Sequence, residues 1–149
     1  MPETSYPKIK FKLPTIKMEA KILYNFCHLR PTGWDWSEKV FKVHPKLKTL
    51  LKDIKGEKKY LQKCREYAKK YITKRRPRLK NLCQKFQKDW NKIERLYFQA
   101  LSEHFETKFP KDIKIIKAFV SICPIYPRFL DYWSFNVGRK TDHTQFNGT

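Results

Sequence analysis

The chain has 149 residues, of which 40% are hydrophobic and 15% aromatic, and 34 Lys and Arg against 14 Asp and Glu give it a net charge of +20. That length makes about one domain able to bury a true core, and the aromatic load excludes disorder over most of it. No apolar stretch approaches the roughly 18 residues of a membrane-spanning helix. The opening Met1-Pro2-Glu3-Thr4-Ser5-Tyr6-Pro7 has no apolar signal segment, so a cytoplasmic location is expected.

Lys8-Ile9-Lys10-Phe11-Lys12-Leu13 alternates charged and apolar residues, which predicts a strand over 8–13 with one buried face, ended by Pro14. Thr15 suits an N-cap, and Ile16, Ala20, Leu23 and Cys27 recur at helical spacing to about Leu29. Arg30-Pro31-Thr32-Gly33 reads as a turn. Asp35-Trp36-Ser37-Glu38 has capping-box-like spacing and opens a short helix carrying Val40 and Phe41. His44-Pro45 breaks it, and Pro45 begins a helix with Leu47, Leu50, Leu51 and Ile54 inward, closed by Gly56.

From Glu57, the series Tyr60, Leu61, Cys64, Tyr67, Ala68, Tyr71 and Ile72 marks a long helix, which Pro77 should kink or split. The pattern resumes for about 27 residues, from Leu79 through Phe86, Trp90, Ile93, Tyr97 and Leu101 to Phe105. The expectation is an αα-hairpin with Arg75-Arg76-Pro77-Arg78 at its corner. After Phe109-Pro110 the β-rich run through Ile115 and Phe119 to Cys123 predicts a strand over 115–123, Pro124-Ile125-Tyr126-Pro127 a shaped loop, and Trp133-Ser134-Phe135-Asn136-Val137 a strand over 133–137. Residues 1–137 therefore read as one α+β domain, a long kinked helical hairpin packed with a small sheet, and 138–149 as a polar tail.

Between Lys39 and Lys92 there are 20 Lys and Arg and 4 Asp and Glu. The densest run supplies the candidate nucleic-acid contacts Lys69, Lys70, Lys74, Arg75, Arg76, Arg78 and Lys80, since cations that displace counterions from phosphates bind with salt-dependent affinity. Lys outnumbers Arg 26 to 8. Lys is a hydrated point charge and Arg the bidentate reader of phosphates and bases, so weak polyanion binding is expected more than specific recognition. On that reading, a small nucleic-acid-binding or ribosome-associated module, affinity drops when Arg75, Arg76 and Arg78 become Glu.

Cys27, Cys64, Cys83 and Cys123 are spaced too widely for a zinc knuckle or a redox pair, and they read as buried, reduced thiols. Of the four histidines, His28 ends a helix, His44 sits before a proline, His104 stands among Glu103 and Glu106, and His143 lies in the tail. None has a second His at i+4, so structural roles are expected. Asp35 reads as a cap, the Tyr60–Tyr71 and Phe86–Phe105 series as core, and Trp34 with Trp36 as a lid over the core. No catalytic constellation and no cofactor site is present.

Leu101-Ser102-Glu103-His104-Phe105-Glu106, the Phe109-Pro110 stop, the Ser121-Ile122-Cys123-Pro124 segment, Tyr126-Pro127-Arg128-Phe129-Leu130 and Trp133-Ser134-Phe135 follow one another in a familiar order. With Leu29-Arg30-Pro31-Thr32-Gly33-Trp34-Asp35-Trp36 upstream, this order resembles the front part of small bacterial zincin-like metallopeptidases, over roughly residues 8 to 137. The resemblance implies a following helix with His-Glu-x-x-His, whose two histidines face one zinc ion while the Glu activates its water. Here His143 is followed by Thr144, and Asn147 stands where the second His would fall, so no metal or catalytic role carries over. Zinc is expected only with that helix. The reading is thus a non-catalytic, truncated front part of such a protein, whose uncovered sheet face invites self-association.

Overall fold

In the computed structural model, residues 5–28 and 35–138 are described. The turn expected over 30–33, Trp34, the tail over 139–149 and His143 lie outside them. The elements are β1 (Lys8–Lys12), α1 (Ile16–His28), α2 (Ser37–Val43), α3 (Pro45–Leu51), α4 (Glu57–Asn91), α5 (Glu94–His104), β2 (Ile115–Val120), β3 (Arg128–Phe129) and β4 (Ser134–Val137). The class is α+β, as the mixture of periodicities implies. Among the described residues no helix is long and apolar enough to cross a membrane.

The strands form one mixed sheet in the order β1-β2-β4-β3, with β1 and β4 parallel to β2 and β3 antiparallel to β4. Parallel neighbours need a long crossover, and the β1–β2 connection contains all five helices. The alternation in β1 is realised, with Lys8, Lys10 and Lys12 exposed and Ile9 buried. Ile9 pairs with Ile116, Phe11 with Ala118, and Ala118 with Phe135 across the sheet. These residues form an apolar face that packs with Phe98 and Leu101 of α5 and Trp90 of α4.

A second, larger core lies among the helices. Ala20, Leu23 and Cys27 of α1 meet Val40, Leu47 and Leu51, the α4 residues Cys64, Ala68, Ile72 and Leu79, and Ile122 and Cys123 beyond β2. The Thr15 cap forms, its hydroxyl accepting the Met18 N–H at 3.1 Å. Asp35 accepts the Ser37 N–H at 3.0 Å, and also the Ser37 hydroxyl, at the mouth of α2. Pro45 occupies the first turn of α3.

The expected hairpin corner at Arg75–Arg78 is a correction. Helix α4 runs unbroken for 35 residues with Pro77 inside it. Proline deprives the Thr73 carbonyl of its helical donor, but Pro77 and Thr73 are both exposed, so water can take that place. Ile72 and Leu79 on either side are both buried in one core, and splitting the helix would pull one of them out. The break comes instead at Lys92–Ile93, between α4 and α5, where Ile93 N–H bonds the Trp90 carbonyl at 2.9 Å. Its cost to the sequence reading is a phase change: α5 buries Phe98, while Tyr97 is exposed and Phe105 is 66% exposed. The third predicted strand begins at Ser134, and the second ends at Val120, after which the chain turns into the helical core. The two-residue β3 was not predicted.

The outer edge of β1 would present unpaired peptide groups. The Gln87 side chain closes it, its Oε1 accepting the Phe11 N–H and its Nε2 donating to the Ile9 carbonyl, both at 2.9 Å. Glu94 accepts the Ile9 N–H at 3.3 Å. One side-chain amide thus takes the place of a neighbouring strand's peptide. Gln87→Leu, which keeps the bulk and removes both bonds, is expected to cost about 1–3 kcal/mol in urea unfolding and to raise aggregation on storage; an unchanged midpoint would refute this role for Gln87.

Candidate functional site

Two places concentrate chemistry: a buried polar clamp between sheet and helices, and an apolar groove beside the sheet. The clamp centres on Ile122, just past β2. Glu19 of α1, fully buried, accepts the Ser121 hydroxyl through Oε1 and the Ile122 N–H through Oε2 at 3.3 Å. Ser121 Oγ in turn accepts the Cys123 N–H at 3.1 Å. His44, also fully buried, contacts the Ile122 carbonyl through Nε2 at 2.7 Å and the Tyr67 hydroxyl through Nδ1 at 2.7 Å. A carbonyl only accepts, so Nε2 carries the proton, and in the neutral ring Nδ1 accepts from Tyr67. Tyr67 and Tyr71 meet the imidazole edge-on, with centroids 5.4 and 4.9 Å away.

A carboxylate, a serine and a histidine invite comparison with nucleophilic catalysis, but the connectivity differs. Both imidazole nitrogens are committed to Tyr67 and Ile122, and Ser121 bonds Glu19 directly. Ser121 and Glu19 are both fully buried, so the hydroxyl is held away from any substrate in solution. What the arrangement does is satisfy the backbone of a buried loop.

The groove runs along the apolar face of the sheet. One part, about 440 Å³, is lined by Phe11, Phe86, Trp90, Ile93, Val137 and Gly138, among others; a neighbouring part, about 650 Å³, reaches Phe98, Leu101, Phe109 and Phe135. Trp90 Nε1 and both polar atoms of the Asn136 side chain are buried without a hydrogen-bond partner among the described residues. Gly138 is buried rather than tail-like, and a Cβ there would collide with the Tyr126 side chain.

The candidate nucleic-acid residues do not form a corner. On the continuous α4 they divide at helical angles into two flanks: Lys69, Arg76 and Lys80 on one, Lys70, Lys74 and Arg78 on the other. Arg75 is half-buried, its guanidinium 3.7 Å from the centre of the Tyr71 ring. Nearby cations share the helix with acids, as in the Lys63–Glu66 and Lys92–Asp89 ion pairs at 3.4 and 3.8 Å. His28 packs on Tyr24 and Tyr60, and His104 is exposed beside Phe105. Trp36 packs edge-on to Phe26, and Pro124 and Ile125 of the expected loop over 124–127 are buried. Among the described residues no group of three His, Cys, Asp or Glu could hold a metal ion.

Sequence reading passed over Glu19, Ser121 and Asn136. Glu19 left a signal: it falls three residues after Ile16 and four before Leu23, on the apolar face of α1, where a carboxylate needs a buried partner. No family model matches the chain, and no curated protein or solved structure matches it either.

Glu19→Gln would put an amide NH2 against a donor that Glu19 now satisfies. The expected loss is about 1–3 kcal/mol in urea unfolding, without change in far-ultraviolet circular dichroism; full stability in the variant would show that the clamp is dispensable. None of the four cysteines is in a disulfide, and all four are buried. Burial pushes the Cys83 thiol up to about 11 and Cys64 to about 12, and raises Cys27 further, with Cys64 and Asp35 adding to it. These groups are neutral when protonated, and their folded pKa lies above the unfolded value near 8.5. Their contribution is therefore complete below that value and is lost as pH rises from about 8.5 toward 11. The urea midpoint should fall across that range, and less steeply in Cys64→Ala; a flat profile would count against burial of the thiols.

Proposed function

We propose that the chain is the non-catalytic front part of a zincin-like metallopeptidase-family protein. One observation carries the reading. Beside the part covered by Phe98, Leu101 and Trp90, the apolar sheet face leaves a groove along Phe11, Val137 and Gly138, and the resemblance puts the start of the His-Glu-x-x-His helix shortly after Gly138. An amphipathic helix laid in the groove would remove Phe11, Phe86 and Val137 from water. Its polar atoms could also meet Trp90 Nε1, a buried donor costly to leave unpaired. The described residues do not themselves fit a zinc ion, so no hydrolytic step is assigned to them. Their part is to present a scaffold: a sheet fixed by the Glu19–His44 clamp, and a groove shaped to take the catalytic helix.

Translating the source gene in all three forward frames for about 150 nucleotides past codon 149, room for the motif and its helix, tests this reading. The expected result is a His-Glu-x-x-His on an amphipathic segment, in one of the frames. The 149-residue protein itself should bind less than equimolar zinc by elemental analysis and cleave no peptide. Absence of the motif from every frame, or chelator-sensitive cleavage by the 149-residue chain, would overturn the reading.

A further inference from the structure

The face of the sheet opposite the groove carries Lys8, Lys10 and Lys12 from β1 and Lys117 from β2, all exposed. In the parallel register Lys10 stands directly beside Lys117, and Lys117 beside Ser134. Like charges directly opposed across strands destabilise a sheet. The strand residues of this face include no carboxylate to relieve them, unlike the outer side of α4 with its two ion pairs. The helices α4 and α5 pack against the other face and the β1 edge. The result is a basic surface without a strand carboxylate, covered where Phe119 and Asn136 are buried and exposed at the four lysines, whose repulsion an anion would relieve.

We propose that this face, through Lys8, Lys10, Lys12 and Lys117, holds the phosphate backbone of a single nucleic-acid strand. Lysines at every second position of β1 repeat at about 6.6–6.8 Å along one line. Successive phosphates of an extended strand offer anions on a comparable line, whereas those of a duplex wind away from it. Lysine ammonium groups act as point charges without bidentate geometry, so recognition is of backbone and not of sequence. The inference does not depend on the zincin-like reading, because it uses the opposite face.

The test is fluorescence anisotropy of a short labelled oligouridylate titrated with the full chain at a series of salt concentrations. Each phosphate contact on a single strand contributes about 0.7 to the slope of log affinity against log salt. Lys10→Gln/Lys117→Gln should therefore flatten the slope by about 1.4, with a thermal midpoint equal to or above wild type. The charge-matched Lys58→Gln/Lys59→Gln, at the start of α4, should keep the wild-type slope. Should Lys10→Gln/Lys117→Gln fail to fold, Lys8→Gln/Lys12→Gln carries the same expectation. Equal flattening in the α4 control would mean that net charge alone binds, and a greater loss in Arg76→Gln/Arg78→Gln would move the interface to the helix; either overturns the proposal. It also falls if phosphatidylglycerol vesicles, and not the oligonucleotide, lose affinity for Lys10→Gln/Lys117→Gln.

Discussion

Ile122 offers one N–H and one carbonyl to its surroundings, and two side chains of the helical region take them. Glu19 of α1 holds the first, and His44 between α2 and α3 holds the second. The segment lies where β2 leaves the sheet and the chain enters the helical core, so these bonds join the two packed regions of the molecule. Apolar contact alone would let the segment slide, because dispersion and hydrophobic burial are not directional. A carboxylate and an imidazole fully withdrawn from water tolerate no such slip, since each loses its partner if the loop shifts. The position of the sheet relative to the helices, and with it the groove and the lysine face, follows from that joint.

Helix α4 extends the same constraint. At 1.5 Å per residue its 35 residues span roughly 52 Å. Cys64 to Leu79 serve the helical core, while Phe86, Gln87 and Trp90 serve the sheet. Gln87 then does for the β1 edge what Glu19 does for Ile122: a side chain from a helix satisfies backbone groups of the sheet. Two polar side chains over 60 residues apart in sequence thus fix the same sheet at its edge and at the exit of its central strand. Proline at an exposed site within α4 is tolerated because buried contacts on both sides of it outweigh the one missing backbone bond.

The parts of this fold that sequence made legible are those governed by local periodicity. The charged-apolar alternation of Lys8–Lys12 and the helical spacing of Ile16–Cys27 each depend on one buried face, and each formed as expected. The α4–α5 break was illegible because no glycine or proline marks it. Leu101 and Phe105 continue the Trp90–Ile93 spacing, and only the demand of the sheet for Phe98 changes the phase. Pro77 misled in the opposite sense, since its local cost was visible and the tertiary contacts that offset it were not. The clamp was half legible: Glu19 on an apolar helical face signals a buried partner, but nothing local identifies Ser121 and Ile122, about 100 residues away. The clustering of basic residues in sequence was likewise no guide to clustering in space, because helical geometry sent Lys70 and Arg76 to different flanks.

The two faces of the sheet carry opposite imbalances. On one, half-buried aromatic and aliphatic side chains border a groove in which Trp90 keeps an unsatisfied polar atom. On the other, Lys10 opposes Lys117 between Lys8 and Lys12, with no carboxylate among the strand residues. The first is relieved by excluding water with an apolar, hydrogen-bonding partner; the second is relieved by counter-charge while water remains. Because pleating sends alternate residues to opposite sides, Phe11 serves one surface while its neighbours Lys10 and Lys12 serve the other. A helix seated in the groove would leave the lysines exposed, and an anionic strand on the lysines would leave the groove open. One short sheet can therefore support a peptidase-like scaffold and a nucleic-acid contact without either excluding the other.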